Sequence, residues 1–373
     1  MNGRRASLRR LARAGALVAT GTWQGVGHGS DRGTGSDVAP ASGAVPGGVS
    51  GGVPGGVSGG VPSGVPGGVP GSTPGSAAGS AASRAFAFAL IGDLPYGERD
   101  ESSLSAMLAD IDADPVRFVL HIGDIKASSE PCSDALYERR AALLARSAHP
   151  LVLLPGDNEW TDCHRRQAGR FDPIERLGAL RSRFWATPAP LGRSGDAARA
   201  ALAFERQPGQ PENVRWRIGG VRFVATQVFG SNNGRSGYDG ARAEFDVRSA
   251  RNRRWLADTL RIAKRERADA LVIAFHAEPD WQPRASSGFA DWIAVLRETA
   301  EAFTRPILLL HGDSHRFKVD RPLLDAHGDA YGHVMRVESF GWPFTASWVR
   351  IAYDPDSPER FHVSTREVTG PRP

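Results

Sequence analysis

Six short apolar runs between residues 86 and 313 constrain this chain more than any other feature. They read FAFALIGD (86–93), FVLHIGD (118–124), LVLLPGD (151–157), VRFVATQ (221–227), ALVIAFH (270–276) and ILLLHGD (307–313). Each is rich in β-branched or aromatic residues, bounded by Gly or polar residues, and too short for a buried helix, so each predicts a buried strand. Between them, ESSLSAMLADI (101–111), ALYERRAALLAR (135–146) and RNRRWLADTLRIAKR (251–265) place apolar residues at helical spacing. Strands alternating with helices predict an α/β domain. After the last run, VMRVESF, SWVRIAY and RFHVSTREV follow as consecutive strands, which predicts a mixed sheet or a second sheet. The folded domain is expected over 84–370, with no linker dividing it.

The strand ends carry the chemistry. Four runs end in Gly-Asp, giving Asp93, Asp124, Asp157 and Asp313; a fifth ends in His276, and His315 lies two residues beyond Asp313. One Gly-Asp after a strand is ordinarily a turn, with Asp capping its own backbone. In an open α/β sheet, however, ligands gather beyond the carboxyl ends of the strands, so these six side chains are expected on one rim. Carboxylate and imidazole without thiolate suit Mn, Mg, Zn or Fe and argue against a structural zinc site. Two divalent ions sharing a carboxylate activate water and steady both oxygens of an in-line displacement, which phosphate ester hydrolysis requires.

Composition excludes other classes. The formal net charge is +5, and the basic residues are scattered without interleaved aromatics. Nucleic acid is therefore not expected as the primary partner. The start, MNGRRASLRRLARAGALVATGTW, has the basic-then-apolar layout of an export signal over 1–24, with Arg4-Arg5 or Arg9-Arg10 suited to a twin-arginine pathway. Its apolar part is too short to span a bilayer, and no other run reaches that length. Residues 25–83 repeat Gly, Pro, Val and Ser, a composition that builds no core and predicts a disordered linker. The expected location is the periplasm or the exterior of a bacterial cell. In an exported chain the two cysteines, Cys132 and Cys163, invite one disulfide, against the alternative of two separate buried thiols.

The ordered motifs resemble those of the calcineurin-like metallophosphoesterases, whose pattern runs Asp-x-His, Gly-Asp, Gly-Asn-His-[Asp/Glu], His and Gly-His-x-His. The corresponding stretches here are GDLPY (92–96), GDIK (123–126), GDNE (156–159), FH (275–276) and GDSH (312–315), in the same order across the folded region. The resemblance implies a four-layer α/β sandwich of two mixed β-sheets flanked by helices. It also implies a dinuclear metal site at the strand ends and hydrolysis of phosphate mono- or diesters. By the same resemblance, Asp93 and His315 ligate the first metal and Asp124 bridges both. Asp157 (in the place of an asparagine), His276 and Asp313 (in the place of a histidine) ligate the second. Asn158 stands where the family has a substrate-orienting histidine, and Glu159 keeps the acidic position.

This sequence departs from the family pattern at two further points. Pro95 replaces a histidine ligand, leaving neighbouring Tyr96 as a phenolate candidate or a packing residue. Asn158 cannot serve as a general acid at neutral pH, although an amide can hold a phosphoryl oxygen. His121, His164 and Lys126 are candidate substitutes, against ordinary strand, loop or surface roles. In SNNGRSGYDG (231–240), Asn232, Asn233 and Arg235 are candidate phosphate contacts, against a plain glycine-rich turn. Phe340 or Trp342 is a candidate for the pocket wall. The replacements make the site more anionic, which favours two Mn or Mg ions, with Zn, Fe or Ca as alternatives. Crowded carboxylates also predict at least one raised pKa. The expected partner is a phosphorylated small molecule. Pro95 and Asn158 motivate an alternative, a catalytically decayed relative that binds metal, a phosphorylated ligand or a protein.

Overall fold

All six apolar runs become strands, and each strand stops before the polar residue that ends its run. The computed structural model describes residues 85–193, 202 and 204–368. The expected export signal (1–24) and linker (25–83) lie outside the described residues. In chain order the strands are β1 (Phe86–Ile91), β2 (Val119–His121), β3 (Leu151–Leu153), β4 (Glu205–Gln207), β5 (Gln210–Ile218), β6 (Val221–Ala225), β7 (Ala270–Ala274), β8 (Ile307–His311), β9 (Lys318–Asp320), β10 (Val334–Glu338), β11 (Ser347–Tyr353) and β12 (Phe361–Glu367). The longer helices are α1 (Glu98–Asp112), α2 (Asp134–Leu144), α3 (Pro173–Phe184), α4 (Ala241–Arg265) and α5 (Ala290–Ala302).

The strands form two mixed sheets, ordered β12-β11-β1-β2-β3 and β4-β5-β6-β7-β8-β10-β9. Strands β1, β2 and β3 run parallel, as do β6, β7, β8 and β10. The three terminal strands divide between the sheets: β10 joins the second, whereas β11 and β12 close the first by antiparallel pairing.

Alternation along each strand explains the layering, because strands apolar on both faces are covered on both faces. Phe88, Leu90, Phe118 and Leu120 point inward to meet Trp216, Phe223, Leu308 and Leu310 between the sheets. Ala89, Val119 and Leu151 point the other way, onto Leu104 and Leu108 of α1 and Leu177 of α3. Leu271, Ile273 and Leu309 meet Trp255 and Leu256 of α4 and Trp292 and Leu296 of α5. The result is the expected four-layer α/β sandwich, with the carboxyl ends of both sets of parallel strands at one rim.

Two local devices shape that rim. Asp172 caps α3 by accepting from the amides of Ile174 and Glu175, and Pro173 opens the helix. Cys132 and Cys163 form a disulfide with Cα atoms 5.7 Å apart, tying the segment before α2 to the 3-10 turn Thr161–His164. Among the described residues, no helix is long and apolar enough to cross a membrane.

Candidate metal centre

Asp93, Asp124 and Asp157 follow β1, β2 and β3, while His276 and Asp313 follow β7 and β8, so the two sheets deliver their strand-end residues to one place. The backbone there is held in an uncommon conformation. Asp93 (φ 55°), Asp124 (φ 56°), Asp313 (φ 76°) and His315 (φ 64°) all lie in the left-handed region. Such residues persist only where their surroundings over-determine them, and they cluster at functional sites. The glycines of the Gly-Asp pairs now have a reason: a Cβ at Gly156 would collide with the Asp124 carboxylate, and one at Gly312 with that of Asp93.

His276 sits between two ligand clusters. Its Nδ1 is 2.7 Å from the carbonyl oxygen of Ile122, and that contact requires Nδ1–H, which leaves Nε2 as the atom facing the site. Nε2 is buried without a hydrogen-bond partner. It lies 3.5 Å from Oδ1 of Asp124, 3.5 Å from Oδ1 of Asp157 and 3.8 Å from Oδ1 of Asp313. Two triads suited to a cation result, Asp93–Asp124–His276 and Asp157–His276–Asp313, each with its ligand atoms within 4.8 Å of one another. His315 Nε2 stands 3.6 Å from Oδ1 of Asp93. Buried carboxylates converging on an imidazole nitrogen repel one another unless a cation joins them. The side chains present therefore fit a divalent metal centre.

The residues at the departures from the family pattern also meet here. Pro95 supplies no donor, but the Tyr96 hydroxyl donates to Oδ2 of Asp124 at 2.9 Å and lies 3.2 Å from His315 Nε2. Asn158 Nδ2 donates to Oδ2 of Asp124 and, at 3.2 Å, to the Tyr96 oxygen; its backbone amide donates to Oδ1 of Asp124 at 3.1 Å. Asn158 thus fixes the Asp124 carboxylate. Glu159 works from behind, its Oε1 accepting from the amides of Gly156 (2.7 Å) and Asp124 (3.2 Å).

The electrostatics match a site short of cations. Burial, reinforced by Asp313 and Glu338 and opposed by His276, pushes Asp93 up to about 8. Burial likewise raises Asp124, with Asp157, Glu159 and Asp93 adding to it, and lifts Asp313 to about 6. Burial alone would lower His276, but the surrounding carboxylates, Asp124 first, hold it well above the ordinary histidine value. A proton and a divalent ion therefore compete for the same Nε2.

A cleft of about 540 Å³ opens onto this cluster, lined by Tyr96, Asp124, Asp157, Asn158, Asp313 and His315 together with Asp162, Arg165, Ser231, Trp342 and the stretch 127–129. Several sequence candidates are absent from its walls. Lys126 is buried, donating to the carbonyls of Ala127 (2.8 Å) and Asn158 (2.7 Å). His164 Nδ1 is 2.6 Å from the Thr161 carbonyl, and buried His121, lowered to about 4 by desolvation, bonds to the Leu94 carbonyl at 2.9 Å. All three are engaged by backbone carbonyls off the cleft walls, in keeping with the ordinary strand and loop roles weighed against them. Asn232 and Asn233 are likewise engaged by Gly288, and Arg235 by Ser286. Phe340 stacks on Phe317 at 5.0 Å, away from the cleft.

Sequence reasoning missed Ser231, whose hydroxyl donates to Oδ2 of Asp157 at 2.6 Å. It also missed Asp162 and Arg165, which pair at 2.5 Å beside the cleft. The signal for Arg165 was present, an arginine eight residues beyond the GDNE motif's Asp157, but only the 3-10 turn brings it back.

No protein-family model and no curated protein matches this sequence. Solved structures do. A dimetal phosphatase from Danio rerio is similar at 13% identity and TM-score 0.45 over 76% of this chain and 96% of its own. GAP50, the anchor in the inner membrane complex of Plasmodium, is similar at 10% identity and TM-score 0.42 over 77% and 90%. Purple acid phosphatase PPD1 from yellow lupin is similar at 11% identity and TM-score 0.39 over 76% and 54%.

Proposed function

We infer that this chain, whose two-sheet architecture is that of the calcineurin-like metallophosphoesterases, is an exported, metal-dependent hydrolase of phosphate mono- or diesters. The observation that carries the reading is the buried, unpartnered Nε2 of His276 facing three carboxylates. Asp93, Asp124 and His315 would hold one divalent ion, with the Tyr96 hydroxyl beside them; Asp157, His276 and Asp313 would hold the other. Mn or Mg suits this oxygen-rich set best. When bound, such a pair of ions activates water and neutralises charge on the phosphoryl oxygens.

The remaining roles belong to the chain's own groups. Asn158 and Glu159 keep the Asp124 carboxylate aimed from both sides. Ser231 does the same for Asp157. Arg165, half-exposed on the cleft and directed by Asp162, offers a guanidinium to a phosphoryl oxygen, a geometry that arginine serves well. The basic-then-apolar start and the Cys132–Cys163 bond support export from a bacterial cytoplasm.

A second reading, a metal-binding relative without turnover, is favoured by one observation: the Asn158 amide is taken up by Asp124 and Tyr96, and no imidazole stands in its place. Hydrolysis of p-nitrophenyl phosphate and its bis ester, with Mn, Mg, Zn and Ca supplied in turn, separates the two. Turnover that Asp124→Asn abolishes supports hydrolysis. Metal binding by calorimetry without turnover under any ion overturns the first reading in favour of the second.

A further inference from the structure

Between β10 and β11 the chain runs SFGWPFTA, and two of its aromatic rings face solvent: Trp342 is 47% exposed and Phe344 54%. A solvent-facing ring at the wall of a polar cleft offers a ligand a flat apolar face. Trp342 lines the cleft together with Tyr96, Asp124 and His315. Its backbone belongs to the metal centre. The Trp342 amide donates to the Asp93 carbonyl at 3.0 Å, and Gly341 lies so close to Asp93 and His315 that a Cβ there would collide. Its side chain does not: the indole is inclined 26° to the Tyr96 ring, with centroids 6.4 Å apart. The Tyr96 hydroxyl in turn touches Asp124. The two rings therefore lead from the carboxylates to the rim, where Trp342 is anchored through its backbone and half-exposed on the cleft wall.

We propose that Trp342 determines specificity, as a stacking platform for a planar aromatic group on the ester's leaving side. The proposal rests on the phosphoester reading of the centre. A phosphoryl group held at the carboxylates leaves the rest of the ester to run along this wall. An alkyl substituent gains only contact area there, whereas a planar ring gains stacking as well. Aryl esters and nucleotides share this chemistry, and the experiment separates them.

Calorimetry on the Mn-loaded, full-length protein with phenylphosphonate, methylphosphonate, inorganic phosphate and adenosine 5′-phosphorothioate tests it without relying on turnover. The expected result is tighter binding of phenylphosphonate than of methylphosphonate. Trp342→Ala should weaken phenylphosphonate about 3- to 10-fold while leaving methylphosphonate and phosphate unchanged, and Trp342→Phe should restore most of the loss. A nucleotide analogue that binds more tightly than phenylphosphonate and shares its sensitivity to Trp342→Ala identifies a nucleotide; equal affinities identify an aryl ester. Either outcome supports the platform. An equal loss for every probe would show that Trp342 only positions Tyr96, and that result, or an absence of ring preference in the wild type, overturns the platform alone. Failure of the metal-loaded protein to bind inorganic phosphate overturns the phosphoester reading, and the platform with it.

Discussion

Replacing Asp93 by asparagine should stabilise the metal-free protein while reducing the stability it gains from metal. Burial is the main reason that the Asp93 carboxyl rises from 3.8 to about 8, with Asp313 and Glu338 adding repulsion. The folded pKa lies above the unfolded one, so the group's favourable contribution is complete below about pH 4 and is lost as pH climbs toward 8. Each pH unit in that window costs roughly 1.4 kcal/mol, which sums by pH 8 to on the order of 5 kcal/mol. Asparagine keeps the shape and one acceptor for the Asp313 amide, which now donates to both carboxylate oxygens at 3.2 Å. It forfeits about 1 kcal/mol of hydrogen bonding but carries no charge to desolvate. In EDTA at pH 8, Asp93→Asn should therefore melt above wild type by about 5 to 10 °C, and the difference should vanish near pH 4. Adding Mn should raise the wild type more than the variant, which keeps only the Asp157–His276–Asp313 set complete. A variant that melts below wild type in EDTA at pH 8 would refute the reasoning, because the cluster would then be a hydrogen-bonded structural unit and not a strained cation site.

Metal and protons should compete: with Asp93 at about 8 and Asp313 at about 6, metal affinity should weaken as pH falls from 8 to 6. Each displaced proton makes that about tenfold per pH unit, and calorimetry in buffers of different ionisation enthalpy counts the protons. Arg165→Ala should raise KM for p-nitrophenyl phosphate about tenfold without changing metal stoichiometry, the loss of one charge-assisted hydrogen bond. Replacing Cys132 and Cys163 together by alanine should cost on the order of 3 kcal/mol in urea unfolding, since the bond closes a long loop and fastens the segment after Asp157.

Much of this site was legible because its ligands sit two to four residues beyond strands buried on both faces, where continuous apolar runs announce themselves. Asp93, Asp124, Asp157, His276 and Asp313 could be read that way, and their convergence follows from parallel strands in two facing sheets. Strand β5 was not legible, since its charged residues are buried by pairing: Glu212 meets Arg181 at 2.6 Å, and the Arg215 guanidinium lies 4.0 Å from the Trp255 ring centre. The contacts of the loop after β6 were not legible from residue type. Its left-handed run at Ser231, Asn232 and Asn233 turns the serine to Asp157 and the asparagines to Gly288. The burial of Lys126 was not legible, because a lysine is ordinarily exposed, whereas here two carbonyls hold its ammonium in the interior.

The most direct test is the rate of p-nitrophenyl phosphate hydrolysis by EDTA-stripped protein as Mn is returned in counted equivalents. The rate should be negligible at the start, rise with bound metal, and stay at the starting level in Asp124→Asn and His276→Ala. Metal that binds without restoring hydrolysis, or hydrolysis indifferent to both substitutions, would contradict the assignment of this centre as a metal-dependent phosphoesterase.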